Sequence, residues 1–416
     1  MARPAPIRLA GTIAATAMCV AAATEAFAFQ QQDSRVLNTQ LQLGDVITGV
    51  TLNVENASDE VASDVAARGN SLSGAVQNGR LALTSSQTMN GNTRATTTIT
   101  ATGDTRGPLN PSTDARGNDL AAGTYGADLT IEASQNVGPS EVTASTALTN
   151  AGARLLGGVS MGANAIANAA AMGGTGTHVE GTVIQRSEAG VRAEAFVASQ
   201  YIPATGEVIA TSTGNAIGVN STAASSQALT LRQRQAGDIV SANVSANAGN
   251  AWDLAGRARA TANQSALYNQ GGSVVVTTDQ SNLSQVRAAS VVTAYDFGAA
   301  TANAVGMANE VVIGNNDRYL QIDNAQVNSG GVEVTAGFAG TQGYDVRVNA
   351  EAVGNAVTGY ACSVCEGVMD VTNAQTNAGP VSSRATTDIR GSGRSVVTGA
   401  TATGNSATFY VSRPGS

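Results

Sequence analysis

Asn324–Ala336 reads NAQVNSGGVEVTA and Asn373–Ala385 reads NAQTNAGPVSSRA, two stretches 49 residues apart that share seven of thirteen positions. Neither has the residue types of a catalytic motif. Fixing on their glutamine exposes a longer series, in which Gln, a polar residue, a small residue and a β-branched residue recur at every second position. Gln40, Gln87, Gln185, Gln233, Gln280, Gln326 and Gln375 all start such a run, and Gln135 fits with one residue of slippage through Gly138 and Val142. The chain therefore divides into eight units of about 48 residues, anchored near 40, 87, 135, 185, 233, 280, 326 and 375.

A second signal keeps phase with the first. Gly-Asn falls 28 to 30 residues after the glutamine at Gly69-Asn70, Gly117-Asn118, Gly214-Asn215, Gly354-Asn355 and Gly404-Asn405. The other units carry degraded forms: Gly162-Ala163-Asn164, Ala262-Asn263 and Gly306-Met307-Ala308-Asn309. Two signals in phase over eight units mark a repeat architecture.

Between the signals the chain reads as strand. Val332–Phe338 and Asp345–Ala352 alternate apolar and polar residues, which gives one dry and one wet face. Gly, Asn and Gln gather where the alternation breaks, as turn chemistry requires. Ala-rich stretches such as Gly162–Met172 also suit a short helix, and the proline-bearing Gly103–Asp114 reads as a surface loop. About four strands per unit predicts an all-β β-solenoid with two coils of roughly 24 residues per unit, amides at its corners bonding from coil to coil. The alternative is an eight-bladed β-propeller. Propeller blades pack bulky residues, whereas this chain has 4% aromatic residues and the single tryptophan Trp252.

The N-terminus MARPAPIRLAGTIAATAMCVAAATEAFA has Arg3 and Arg8, an apolar run and a small-residue Ala26-Phe27-Ala28 site, so residues 1–28 are expected to be a cleaved signal peptide. Residues 29–416 then form a single repetitive domain in an exported protein without a membrane-spanning segment of its own. Cys362 and Cys365, the only cysteines after the signal, are candidates for a local disulfide.

Composition excludes several classes of activity. All 22 basic residues are arginine and the net charge is −8, which argues against nucleic acid and anionic lipid as partners. One histidine, His178, placed by its neighbours in a polar loop, and the absence of lysine remove most general bases and amine nucleophiles. No calcium-binding Gly-Gly-x-Gly-x-Asp nonapeptide is present. Acidic groups cluster at Asp59-Glu60 with Asp64 and at Asp317-Arg318 with Asp323, where solvated turn charges are the plainer reading. No catalytic, cofactor or metal residue is assigned. The repeat positions Gln40, Gln87, Gln233, Gln280, Gln326, Gln375, Gly69, Gly214, Gly354, Gly404, Asn355 and Asn405 are assigned a structural role.

The signal ending Ala-Phe-Ala, the following Phe29-Gln30-Gln31-Gln32, and Gly-Asn-Ala as at Gly214-Asn215-Ala216 and Gly354-Asn355-Ala356 resemble the holdfast attachment protein D family of stalked, surface-adhering bacteria. The resemblance implies a non-enzymatic protein at the outer membrane or outside the cell, at the pole or stalk tip. It further implies that the protein anchors an adhesive polysaccharide with a curlin-like surface subunit and an outer-membrane secretion protein. The residues themselves leave two other classes open: a polysaccharide-processing solenoid enzyme and a self-assembling amyloid-like fibre subunit.

Overall fold

The computed structural model describes residues 33–317, 319–362 and 367–411. The expected signal peptide, residues 1–28, lies outside them. Among the described residues there are eighteen strands, no helix, and only parallel pairings, joined in one continuous sheet. The chain is a stack of its own repeats, a β-solenoid, and the parallel pairings leave no place for propeller blades.

Each unit is one coil rather than two. Gln40 pairs with Gln87, Gln87 with Gln135, Gln135 with Gln185, and so on to Gln375, each glutamine directly over the last. A 24-residue coil would instead pair each strand with a different part of the same unit. Three runs make up a coil, seen separately as Glu141–Arg154, Val159–Thr175 and His178–Ser187. Elsewhere neighbouring runs merge, as in Leu109–Val137. The slippage near Gln135 lies in the corner that follows it: Gln87 pairs with Gln135, but Thr93 pairs with Val142.

Three local expectations change. Gly162–Met172 lies within the strand Val159–Thr175, because its neighbours above and below hold it extended. The strand after the expected loop begins at Leu109, inside the Gly103–Asp114 segment, and Thr105 makes bridges to Ala57 and Leu155. The third unit's partner for Asn118 is Asn168, not Asn164.

The Gly-Asn signal has a geometric cause. In Leu109–Val137 odd-numbered residues point inward as far as Gly117, and even-numbered ones from Asn118 to Thr124. Two consecutive inward residues switch the face of the strand that meets the core, as a bulge does. A side chain is nearly impossible at the switch: a Cβ on Gly117 would lie 2.6 Å from the Ala167 carbonyl oxygen of the next coil. The degraded units place alanine there, at Ala167, Ala262 and Ala308, the next smallest residue.

The switch divides the interior into two lobes. One apolar cluster runs through Ala95, Ile99, Ala144, Ala193, Val244, Ala304 and Val348, from each glutamine forward to the next Gly-Asn. The other runs through Leu83, Leu129, Ile131, Leu231, Val276, Ile313 and Ile322, between Gly-Asn and the following glutamine.

Between them lies a polar waist of stacked amides. Seven bonds of 2.7–2.9 Å link Gln40 through Gln375, each Nε2 donating to the glutamine Oε1 one coil toward the N-terminus. Seven bonds of 2.7–2.8 Å link Asn70, Asn118, Asn168, Asn215, Asn263, Asn309, Asn355 and Asn405, donating toward the C-terminus. The second amide hydrogen of each glutamine goes to the carbonyl just after the asparagine, as Gln87 to Asp119 and Gln326 to Ala356. Asparagine returns the bond to the carbonyl just after the next glutamine, as Asn118 to Asn136 and Asn309 to Val327. The waist thus satisfies its own buried polar groups, which would otherwise each cost about 1–3 kcal/mol. The opposed polarity of the two rows also sets their amide dipoles against one another.

Candidate functional site

The repeat residues singled out in the sequence are brought together, but facing inward. Gln87, Gln233, Gln280, Gln326 and Asn355 are buried, and their amides are spent on one another and on backbone carbonyls. They do not sit at corners, where the sequence reading places amides; Gly44-Asp45, Gly91-Asn92 and Gly330-Gly331 occupy those. Gln40, Gln375 and Asn405 are more open because they lie in the first and last described coils. Gly69, Gly214 and Gly354 each have a carbonyl oxygen of the next coil about 2.4–2.5 Å from where a Cβ would be. Gly404 ends that series, with no such carbonyl against it. The amide repeat is therefore a device of the core, and any ligand meets other residues.

Cys362 is buried and disulfide-bonded, whereas Cys365 lies outside the described residues. His178 opens the strand His178–Ser187 instead of lying in a loop, and its Nδ1 is 2.6 Å from Ser226 Oγ on the next coil. Glu60 accepts a bond from Asn110, Asp317 accepts one from the Gly272 amide, and Arg318 lies outside the described residues. Among the described residues no group of three or more His, Cys, Asp or Glu side chains is placed to hold a metal ion.

On the outside, ion pairs join adjacent coils: Arg154 with Asp104, Arg192 with Asp238, Arg257 with Glu207, Arg287 with Glu333, and Arg394 with Asp345. Hydrogen bonds from Arg154 hold the Asp104 carboxyl below its ordinary value, and those from Arg394 do the same for Asp345. Pairs as exposed as these contribute little to stability, because water and salt screen them.

A cleft of about 510 Å³ lies on the surface across the corner between the first and second runs. Tyr201, Asn250, Asp296 and Gln342 stand above one another on four successive coils. Beside them the Trp252 and Tyr344 rings meet edge to face at 6.5 Å. Gly298 lies between the two, its Cβ position 3.1 Å or less from the Trp252 ring. Arg394 lies over Tyr344, 5.4 Å from its centroid. The floor is packed: buried Phe297 lies edge to face on Phe338 at 4.9 Å, and a Cβ on Gly343 would meet the Phe297 ring. A second hollow of about 520 Å³, lined by Leu267, Tyr268, Ile313 and Tyr360, is almost wholly apolar.

The cleft was readable in part. Trp252 lies 19 residues after Gln233, Tyr344 lies 18 after Gln326, and Tyr201 lies 16 after Gln185. Scarce aromatics at nearly one phase of the repeat are a signal, which the low aromatic fraction alone conceals.

Residues 55–331 match the family model described as holdfast attachment protein D. The chain belongs to that family. Membership gives it a role in holdfast attachment and a place at the cell surface or outside the cell. No helix among the described residues is long and apolar enough to cross a membrane. No curated protein and no solved structure matches the chain.

Proposed function

We propose that this chain is a non-enzymatic anchor that ties the adhesive polysaccharide of the holdfast to the outer envelope. The family match over residues 55–331 carries the reading, because the family's role is attachment. The solenoid supports it: a rod stiffened by two amide rows offers repeated outer faces, and many weak contacts along one rod add up to a strong grip. Cleavage of residues 1–28 and export precede this work, and residues 29–416 act as one domain. A curlin-like surface subunit and an outer-membrane secretion protein are the partners, at the pole or stalk tip. Deleting the protein tests the anchor. Adhesive shed into the medium is the expected result, whereas loss of the polymer itself would assign the chain to synthesis or export. Shortening of the polymer on incubation with purified protein would replace the anchor by a polysaccharide-processing enzyme.

One observation favours a second reading, a self-assembling fibre subunit. Among the described residues, Gln375 Oε1 accepts no bond and Asn405 Nδ2 donates none, while Asn70 Oδ1 accepts none at the opposite end. Both rows could continue into another copy stacked head to tail, and parallel strand edges at each end would pair with it. Filaments that grow with protein concentration and bind amyloid dyes would support this reading; a monomer at all concentrations would remove it.

A further inference from the structure

An aromatic-poor chain leaves two of its largest rings, Trp252 and Tyr344, more than half exposed and side by side. Neither serves the core, whose aromatic pair is Phe297 and Phe338 beneath them. Asp296, in the adjoining polar row, has its Oδ1 buried with no hydrogen-bond partner. A buried acceptor without a donor costs about 1–3 kcal/mol and calls for a reason. A turn of the carboxylate about its last torsion would bring that oxygen to the cleft that Asp296 lines, where a ligand hydroxyl would supply the donor. Asn250 and Gln342, one coil to either side, add amide donors and acceptors at the same level of the surface.

The geometry points to this cleft as a binding site for a linear, uncharged polysaccharide lying along the solenoid axis. The apolar faces of its sugar rings rest on Trp252 and Tyr344, and its hydroxyls bond Asp296, Asn250 and Gln342. Rigid aromatic surface beside a few convergent polar groups is the general make-up of a small-molecule site, and the volume is ample for several sugar units.

The direction of the ligand follows from the rows. Strands in a sheet lie about 4.8 Å apart, so the polar row repeats along the axis at that interval, and the two rings, on alternate coils with Gly298 between, follow the same direction. A chain running along the axis keeps one edge on each row over several coils. A chain wrapped around a coil would meet one aromatic ring and leave the cleft at once. Gly298 keeps the path open, since a side chain there would fill the space between the two rings.

The chemistry disfavours other ligands. Arg394, the cation at the cleft, is already bonded to Asp345, so a polyanion would find no uncommitted positive charge there. A peptide added as a strand needs an open backbone edge, whereas these coils pair with neighbours on both sides. The apolar hollow at Tyr268 and Tyr360 lacks the polar row and serves as the control surface.

Trp252 is the only tryptophan, so its fluorescence reports the cleft alone. The full-length protein is titrated with adhesive polysaccharide collected from the medium and freed of protein by protease. A saturable change in Trp252 emission is expected, with affinity at least tenfold weaker in Tyr344→Ala and in Asp296→Ala, and unchanged in Tyr268→Ala. Circular dichroism and the unfolding midpoint confirm that each variant is folded, which the exposure of Tyr344 favours. The inference rests on the anchor reading, and the outcomes separate the two. Retention of polymer with a silent Trp252, or with undiminished affinity in both cleft variants, overturns the cleft and leaves the anchor standing. Failure of the wild-type protein to retain polymer by any measure overturns direct anchoring and the cleft together. A signal that disappears once protein is removed from the polymer assigns the cleft to a protein partner and overturns the sugar site.

Discussion

The two lobes of the coil are built from the same alternating strands, yet they are filled differently. The lobe between each glutamine and the next Gly-Asn is lined mainly by Ala and Val, with Ala144, Ala193, Ala260 and Ala304 fully buried. The lobe between Gly-Asn and the next glutamine is lined by Leu, Ile and Val, as at Leu129, Ile131, Leu231 and Ile322. Interiors pack to nearly constant density, so small side chains mean walls close together and large ones mean walls farther apart. The first lobe takes the longer part of each coil, Thr88–Gly117 in one unit against Asp119–Ser134 for the second. A long perimeter lined by small residues and a short one lined by large residues are thus two ways to fill an interior. The waist is what allows two such different cavities in one coil.

Breaking the waist is expected to have the largest effect. Asn215→Ala leaves the Asn168 Nδ2 without its acceptor and the Asn263 Oδ1 without its donor, so about 2–6 kcal/mol should be lost at ~1–3 per stranded group. Chemical denaturation measures it, and a loss under about 1 kcal/mol would show that the lobes stand without the waist. Next comes Leu129→Ala in the open lobe, where the side chain is fully buried; a cavity there should cost about 2–5 kcal/mol. The reverse change in the flat lobe, Ala304→Leu, should cost about 1–3 kcal/mol through overpacking. Equal tolerance of leucine in both lobes would refute the difference in wall spacing.

The smallest effect belongs to the outer surface. Asp104 and Asp345 have folded carboxyl values below the ordinary 3.8 because arginine bonds favour their charged forms. Their pairs therefore stabilise the fold fully above pH 3.8 and lose that contribution as pH falls through the lowered folded values. Acid titration of the unfolding midpoint should show a slightly shallower decline in the Asp104→Asn, Asp345→Asn double variant. A steeper decline would reverse the sign of the argument.

Much of this was legible in residues that repeat. In a parallel stack each side chain lies over its counterpart one coil away, and an amide can bond its own kind there, so selection for the contact writes Gln and Asn into the chain at the coil length. Strand periodicity was legible for the same reason, since one face of each run meets the core. The cleft was legible only in part: Trp252 and Tyr344 fall at nearly one phase of the repeat, but they stand two coils apart with Gly298 between, and no alternation predicts that their rings meet. The acidic clusters drew notice only because they are adjacent in sequence, which the coil does not preserve as convergence in space.

By itself, then, the order of residues determined the period, the all-β character and which amides share a phase, because these depend on neighbours along the chain and on identity between units. Only the tertiary structure decided that one unit closes as a single coil, that Gly-Asn marks a change of inward face, and that the amides lie inside as a waist. Those features depend on where opposite walls of a coil meet, and residues that meet across it, such as Gln87 and Asp119, are joined by a hydrogen bond that no local pattern encodes.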